Sequence, residues 1–76
     1  MDSKPLSAAL PGRQFRIVDI LDKSTRLRFL SLNLAPGTTL ILLRNRKGSV
    51  VIGHRHARMA IGRHLAERIL VEEQAS

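Results

Sequence analysis

The sequence has no cysteine and only two aromatic residues, Phe15 and Phe29. Without cysteine it has no disulfide, no thiolate metal site and no thiol nucleophile, and it suits a reducing compartment such as the cytosol. The shortage of aromatic rings argues against modules that stack single-stranded bases on aromatic faces. It also argues against proline-peptide readers, whose groove is lined by Tyr and Trp. Two common roles of small basic domains are therefore disfavoured.

Long hydrophobic runs are also lacking. The longest aliphatic run covers residues 40–43, far short of the roughly 20 apolar residues that cross a bilayer. The N-terminus has an acid and a proline where a signal peptide would have positive charge followed by an apolar stretch. We therefore predict a cytoplasmic protein with no membrane span.

The chain is too short for an enzyme with two lobes around a cleft. Its 76 residues predict a single domain, 1–76, with a core over about 6–72. The sequence has no glycine-rich phosphate loop, no serine elbow and no metal-ligand helix. We therefore predict a protein that is not an enzyme and uses no cofactor.

Acidic residues are scarce: thirteen lysines and arginines stand against six aspartates and glutamates, a formal net charge of +7. A hydrophobic fraction of 43% is too high for a disordered basic tail, so the charges decorate a folded body. They predict attraction to acidic protein surfaces, anionic lipid headgroups or nucleic acid. Three groups carry most of this charge: Arg26 and Arg28; Arg44, Arg46 and Lys47; Arg55, Arg58 and Arg63.

Turn signals divide the chain into short β-prone segments. The Pro-Gly pairs at 11–12 and 36–37 each precede such a segment. The resulting inventory is mainly β, with one short helix between the first and second of about five strands. At this size the sheet must curl into a small, partly open barrel. The predicted strands are 14–20, 38–44, 49–54, a run around 58–61, and 69–72, with a helical turn within 62–68.

The segment after the first strand has apolar residues at helical spacing. We predict a helix over about 25–32, with Ser24 or Thr25 as its N-cap and Asn33 left-handed just beyond its end. A strand through the same segment is the alternative, but the arginines there fit its alternation poorly. Leu32 lies off the helical stripe, so a partner could use it; packing under the rim of the barrel is the equally favoured alternative. The predicted buried stripe is Leu27, Leu30 and Leu34.

Two histidines, His54 and His56, are the weak candidates for a metal site. If both lay on one strand they would face the same side, and His64 or Glu67 would complete a three-ligand site. Neighbouring arginines oppose a dication. We therefore favour the interpretation that these histidines extend the basic surface of an exposed hairpin, and we predict no metal.

Several stretches between Leu6 and Glu72 occur in a characteristic order. The central block, 28–38, has leucines followed by Pro36 and Gly37. Together these stretches resemble the FeoA family, small accessory proteins of bacterial ferrous iron transport. The stretches are Leu10-Pro11-Gly12 with Ile17 and Ile20, Arg28 to Thr38, Met59-Ala60-Ile61, and Ile69 to Glu72.

The sequence departs from the family pattern in three places. Asn33 stands where the family usually has glycine; asparagine is the next most tolerant residue of left-handed geometry. The hairpin at 44–49 is shorter and more basic than in members with a Leu-Gly-Asp-Pro element. Gly62 stands where an arginine is common, although Arg63 follows it.

The resemblance implies an SH3-like β-barrel, a cytosolic location, no catalytic residue, and interaction with FeoB, a membrane transporter with a cytosolic GTP-binding domain. The alternative, a small basic barrel that binds nucleic acid or the ribosome, is indicated by charge alone and is the less favoured. Open strand edges would also allow weak pairing between copies. The candidate partner-binding residues are Arg26, Arg28, Leu32, Arg44, Arg46 and Lys47.

Overall fold

The computed structural model describes residues 3–74, which form a six-stranded antiparallel sheet and two short α-helices. The strands lie side by side in the order β1-β6-β2-β3-β4-β5. None of the helices in this range is long and apolar enough to cross a membrane. In chain order the elements are β1 (Lys4–Pro5), a 3-10 helix (Leu6–Ala8), β2 (Gln14–Ile20), α1 (Lys23–Leu30), β3 (Thr39–Asn45), β4 (Ser49–His54), β5 (Ala57–Gly62), α2 (Arg63–Ala66) and β6 (Ile69–Glu73).

The predicted mainly β fold with a helix after the first long strand is confirmed. The predicted strand 14–20 matches β2, and the second helix lies inside the predicted helical turn 62–68. The sixth strand, β1, was missed because two residues that include a proline give no alternation to read. Dimensions of 29 × 26 × 25 Å show a sheet that curls around its core, although β1 and β5 remain separate edges.

One face of the curled sheet encloses the hydrophobic core. In β2 the side chains of Phe15 and Ile17 point inward, and a bulge before Asp19 shifts the register so that Ile20 also points inward. The bulge leaves Val18 partly exposed. The buried residues are Leu6, Ala9, Phe15, Ile17, Ile20, Thr25, Phe29, Leu34, Leu40, Leu42, Val50, Ile52, Ile61, Ala66, Ile69 and Val71.

Helix α1 begins two residues earlier than predicted, and its N-cap is Asp22 rather than Ser24 or Thr25. One carboxylate oxygen of Asp22 accepts hydrogen bonds from the Thr25 backbone N–H at 3.0 Å and from the Thr25 hydroxyl at 2.8 Å. The Ser24 hydroxyl donates to the same oxygen at 2.7 Å. These bonds favour the charged form and lower the pKa of Asp22 to about 2. The two residues predicted as N-caps, Ser24 and Thr25, are therefore hydrogen-bond donors to the observed N-cap, Asp22.

The predicted buried stripe of α1 is wrong at two of its three positions. Leu27 and Leu30 are 60% and 58% exposed, whereas Thr25 and Phe29 are buried. The predicted spacing assumed a helix that continues to residue 32, but α1 ends at Leu30. Leu34 does reach the core, because the chain reverses direction after the helix.

The reversal after α1 depends on Asn33, which has a φ of 62°. The Asn33 N–H donates to the Leu30 carbonyl at 3.0 Å, and the Leu34 N–H donates to the Phe29 carbonyl at 2.9 Å. This bonding pattern is a Schellman motif, with Phe29 and Leu34 as its apolar pair. The predicted left-handed Asn33 is confirmed, and the alternative of a strand through this segment is wrong. The turn at Gly37, φ 96°, then leads into β3.

Candidate partner-binding surface

The positive charge is unevenly distributed over the surface. Arg13 and Arg16 on the β2 side pair with Glu73 and Glu72 of β6, the first pair at 2.7 Å. These arginines are largely neutralised where the two strands adjoin. The remaining positive charge is carried mainly by α1 and the two β-hairpins.

The β3–β4 hairpin tip, residues 44–48, holds three of the predicted partner-binding residues, Arg44, Arg46 and Lys47. All three are exposed, and the tip has no apolar side chain. Its remaining polar side chain, that of Asn45, donates to the carbonyl oxygens of Ser7 and Ala9 at 2.9 and 2.8 Å. The tip is therefore fixed to the N-terminal segment.

Arg63 also binds the hairpin tip through several hydrogen bonds. Its guanidinium donates to Asn45 Oδ1 at 2.8 Å and to the backbone carbonyl oxygens of Arg46 and Lys47. The sequence grouped Arg63 with the exposed cations of the second turn. The structure instead gives this half-buried arginine a structural role, because a planar guanidinium can serve several acceptors at once.

Helix α1 carries the other predicted residues, Arg26, Arg28 and Leu32, the last in the turn after its end. The Arg26 guanidinium donates to the Ile20 carbonyl at 3.0 Å. Arg28 and Leu32 both line a cleft between α1, β5 and α2. The structure therefore brings these two together, while the hairpin tip residues are not among those that line the cleft.

The cleft has a volume of about 330 Å³ and a largely apolar lining. Arg28 is its one charged lining residue, and Leu32 is 41% exposed at its edge. Met59 and Leu65 were not selected from the sequence, since they are distant from Leu32 along the chain. On α1, the sequence did indicate the cleft, because Arg28 and Leu32 are four residues apart and so lie on one side of a helix. The lining consists of Arg28, Phe29, Leu32, Met59, Ala60, Ile61, Gly62 and Leu65.

A second depression, of about 400 Å³, lies beside the β4–β5 turn and is lined in part by Leu43, Gly53 and Arg58. A Cβ atom on Gly53 would lie 3.0 Å from Ile41 Cγ2 and 3.3 Å from Leu43 Cδ1. Both distances are shorter than an ordinary van der Waals contact, so glycine lets these side chains lie across β4 without shifting. This depression contains none of the predicted partner-binding residues.

The histidines do not share a strand face. His54 ends β4, whereas His56 lies in the turn, and Arg55 between them has a φ of 58°. His54 Nδ1 lies 3.2 Å from the Thr39 carbonyl oxygen. His64 is almost fully exposed. Within residues 3–74, no group of three His, Cys, Asp or Glu side chains is arranged to hold a metal ion.

Comparison with known proteins agrees with this architecture. The FeoA domain model matches residues 4–73. A Methanocaldococcus jannaschii protein named "Putative Fe(2+) transport protein A" is 35% identical over 71 residues, which cover 91% of this chain and 85% of that protein.

Solved structures show the same fold. The crystal structure of an iron uptake regulatory protein (FeoA) has a TM-score of 0.85 and 33% identity, covering 97% of this chain and all of that one. A manganese-dependent transcriptional repressor has a TM-score of 0.83 at 21% identity, with 95% of this chain matching 42% of the repressor; at that identity the likeness shows the fold alone. The predicted SH3-like fold is confirmed, and the chain belongs to the FeoA family, which is associated with Fe(2+) transport.

Proposed function

We propose that this protein is a non-catalytic, cytoplasmic accessory protein of ferrous iron uptake that binds the cytosolic part of the FeoB transporter. Membership of the FeoA family supports the link to iron transport. The observation that carries the binding proposal is the apolar cleft beside α1, with Leu32 at its edge and Arg28 in its lining. A partially exposed apolar cleft with a charged residue is typical of a protein-binding site.

The chemistry of the cleft defines the segment that it would accept. Phe29, Met59 and Leu65 offer an apolar floor, and Arg28 offers a guanidinium at the same site. A segment of the transporter with an apolar side chain next to a carboxylate would bury the first and pair the second with Arg28. The net charge of +7 would favour the approach of such an acidic segment.

The absence of catalysis is also part of the proposal, and the carboxylates support it. Asp22 caps α1, while Glu72 and Glu73 pair with arginines of the β2 side. Asp19 accepts from the Ile20 backbone N–H at 2.8 Å. These carboxylates have structural partners and are not among the residues that line the α1 cleft, whereas general acid–base catalysis needs a titratable group at the substrate.

The other predicted partner-binding residues would contribute long-range attraction. Arg44, Arg46 and Lys47 at the hairpin tip, together with Arg26, would raise the association rate with an acidic surface, an effect that salt screens. Their loss would change affinity less than loss of the apolar contact at Leu32, because exposed charges contribute little to the strength of a formed complex.

Co-purification of FeoB tests the proposal. The tagged protein is incubated with nuclease-treated, detergent-solubilised membranes of its own organism at about 0.15 M salt, a physiological screening condition. The wild type should recover FeoB, and Leu32→Gln should recover roughly tenfold less, since a polar group would enter the apolar cleft. Leu43→Gln is the matched control, because Leu43 is 38% exposed and lies outside the cleft. Failure of the wild type to recover FeoB would overturn the proposal.

The basic hairpin tip favours a second candidate function, binding of nucleic acid or ribosomes. Arg44, Arg46 and Lys47 form an exposed cationic group on a fixed turn. In the same experiment without nuclease, this alternative expects ribosomal particles or nucleic acid instead of FeoB. It also expects that Arg46→Gln with Lys47→Gln abolishes their recovery, while Leu32→Gln leaves it unchanged.

A further inference from the structure

The outer side of α1 carries two leucines that point away from the core. Thr25 and Phe29, four residues apart, mark the buried face of the helix. At 3.6 residues per turn, Leu27 lies on the opposite side, and Leu30 is its neighbour three residues on. Their exposures of 60% and 58% agree with this geometry. We refer to Leu27 and Leu30 as the leucine ridge.

Cations surround the leucine ridge. Lys23 stands one turn before Leu27 on the same side of the helix, and Arg26 and Arg28 lie on either side of the ridge by helical geometry. No residue of α1 is acidic. The carboxylate that precedes the helix, Asp22, is engaged by the helix N-terminus through three hydrogen bonds. The outer side of α1 therefore combines exposed apolar area with positive charge.

We propose that the leucine ridge contacts an anionic phospholipid surface. The ridge projects from the outer side of the helix, and the headgroup region of a bilayer can deform around such a projection. Leucine side chains would enter the boundary between headgroups and acyl chains. Lys23 and the guanidinium N–H groups of Arg26 that do not bind the Ile20 carbonyl would reach lipid phosphates, as long basic side chains do at membrane interfaces, while Arg28 remains at the cleft. The net charge of +7 complements an anionic leaflet.

This contact is distinct from the binding of FeoB. The proposed FeoB site is the cleft between α1 and β5, lined by Arg28 and Leu32, whereas neither ridge leucine lines that cleft. Both contacts can therefore form at once, and a membrane contact would concentrate the protein next to a membrane-embedded partner. Lipid binding does not require that partner, so a test with protein-free vesicles stands independently of the proposed function.

Vesicle co-sedimentation with the full chain tests the proposal. Sedimenting vesicles of phosphatidylcholine alone are compared with vesicles that also contain phosphatidylglycerol. At about 0.1 M salt the protein should bind the anionic vesicles at least about tenfold more than the neutral ones. Leu27→Gln with Leu30→Gln should reduce the bound fraction by at least about fivefold, since glutamine keeps helix propensity but removes the apolar contact.

The matched control is Leu10→Gln with Leu43→Gln, which removes two exposed leucines elsewhere and keeps the net charge. It should bind anionic vesicles like the wild type, and circular dichroism should show that all variants remain folded. Three results would overturn the proposal: no binding by the wild type, equal loss in both double variants, or binding that is abolished by salt and unaffected by the ridge variant. If the ridge variant, Leu27→Gln with Leu30→Gln, lost FeoB recovery but kept vesicle binding, the ridge would be a protein contact and the proposal would be wrong.

Discussion

The helix α1 and the β3–β4 hairpin tip are both basic, but they differ in what accompanies the charge. The tip, residues 44–48, has no apolar side chain, and the Arg63 guanidinium fixes its backbone. Helix α1 has the exposed leucine ridge on its outer side and an apolar cleft beside it. Charge is therefore common to both regions and does not distinguish them. We propose that apolar area next to charge marks the interaction surface, because desolvation of apolar groups supplies most of the binding energy of protein interfaces.

The largest expected effect separates the two faces of α1. Phe29→Ala removes a buried ring from the core and should lower the free energy of unfolding by about 3 kcal/mol. Leu30→Ala, next to it in sequence but 58% exposed, should change it by less than about 0.5 kcal/mol. Urea unfolding of the two variants measures the difference. Equal losses would show that Leu30 is part of the core.

At the hairpin tip, we expect substitution of Arg63 to lower stability more than substitution of the exposed cations. Arg63→Ala should destabilise the protein by about 1 to 2 kcal/mol, because Asn45 and the tip carbonyls lose their donor. Arg63→Lys should restore little of this, since lysine lacks the planar fork. Arg46→Ala is the control and should lie within about 0.5 kcal/mol of the wild type. Thermal unfolding of Arg63→Lys at the wild-type temperature would contradict the structural role.

The turn after α1 should also be sensitive to substitution, because Asn33 has a positive φ. Asn33→Ala puts alanine at φ 62°, a conformation that asparagine tolerates better because its short polar side chain can hydrogen-bond locally. The substitution should lower the free energy of unfolding by about 1 kcal/mol. Asn33→Gly should be neutral or slightly stabilising, because glycine adopts this conformation readily. Chemical denaturation of both variants gives the order. The prediction fails if alanine is tolerated as well as glycine.

The smallest expected effect is the pH dependence at the start of α1. The pKa of Asp22 is lowered to about 2 from 3.8, so its stabilisation is complete above about pH 4 and is lost as the pH falls towards 2. Asp22→Asn keeps a cap but does not titrate. Melting temperatures from pH 5 to about pH 2 should therefore fall less for Asp22→Asn than for the wild type. Parallel curves would exclude Asp22 as a contributor.

The strands could be predicted because the sequence patterns that indicate them are local. The candidate site could be predicted only in part. Pro-Gly pairs and alternating residues placed β2 through β6, and Asn33 marked the end of α1. The buried face of α1 was mispredicted, because an eight-residue helix is oriented by what its ends attach to rather than by its own periodicity. The cleft combines Leu32 with Met59 and Leu65, and no local pattern specifies that tertiary contact.

We propose that partner binding depends on the apolar cleft of α1 more than on net charge. The most direct test is the affinity of the purified chain for the cytosolic part of FeoB, measured calorimetrically from about 0.05 to about 0.5 M salt. We expect the Kd to rise by less than about tenfold across this range, and Leu32→Gln to raise it by at least about tenfold at every salt concentration. A Kd that rises steeply with salt and is unaffected by Leu32→Gln would instead make charge the basis of binding.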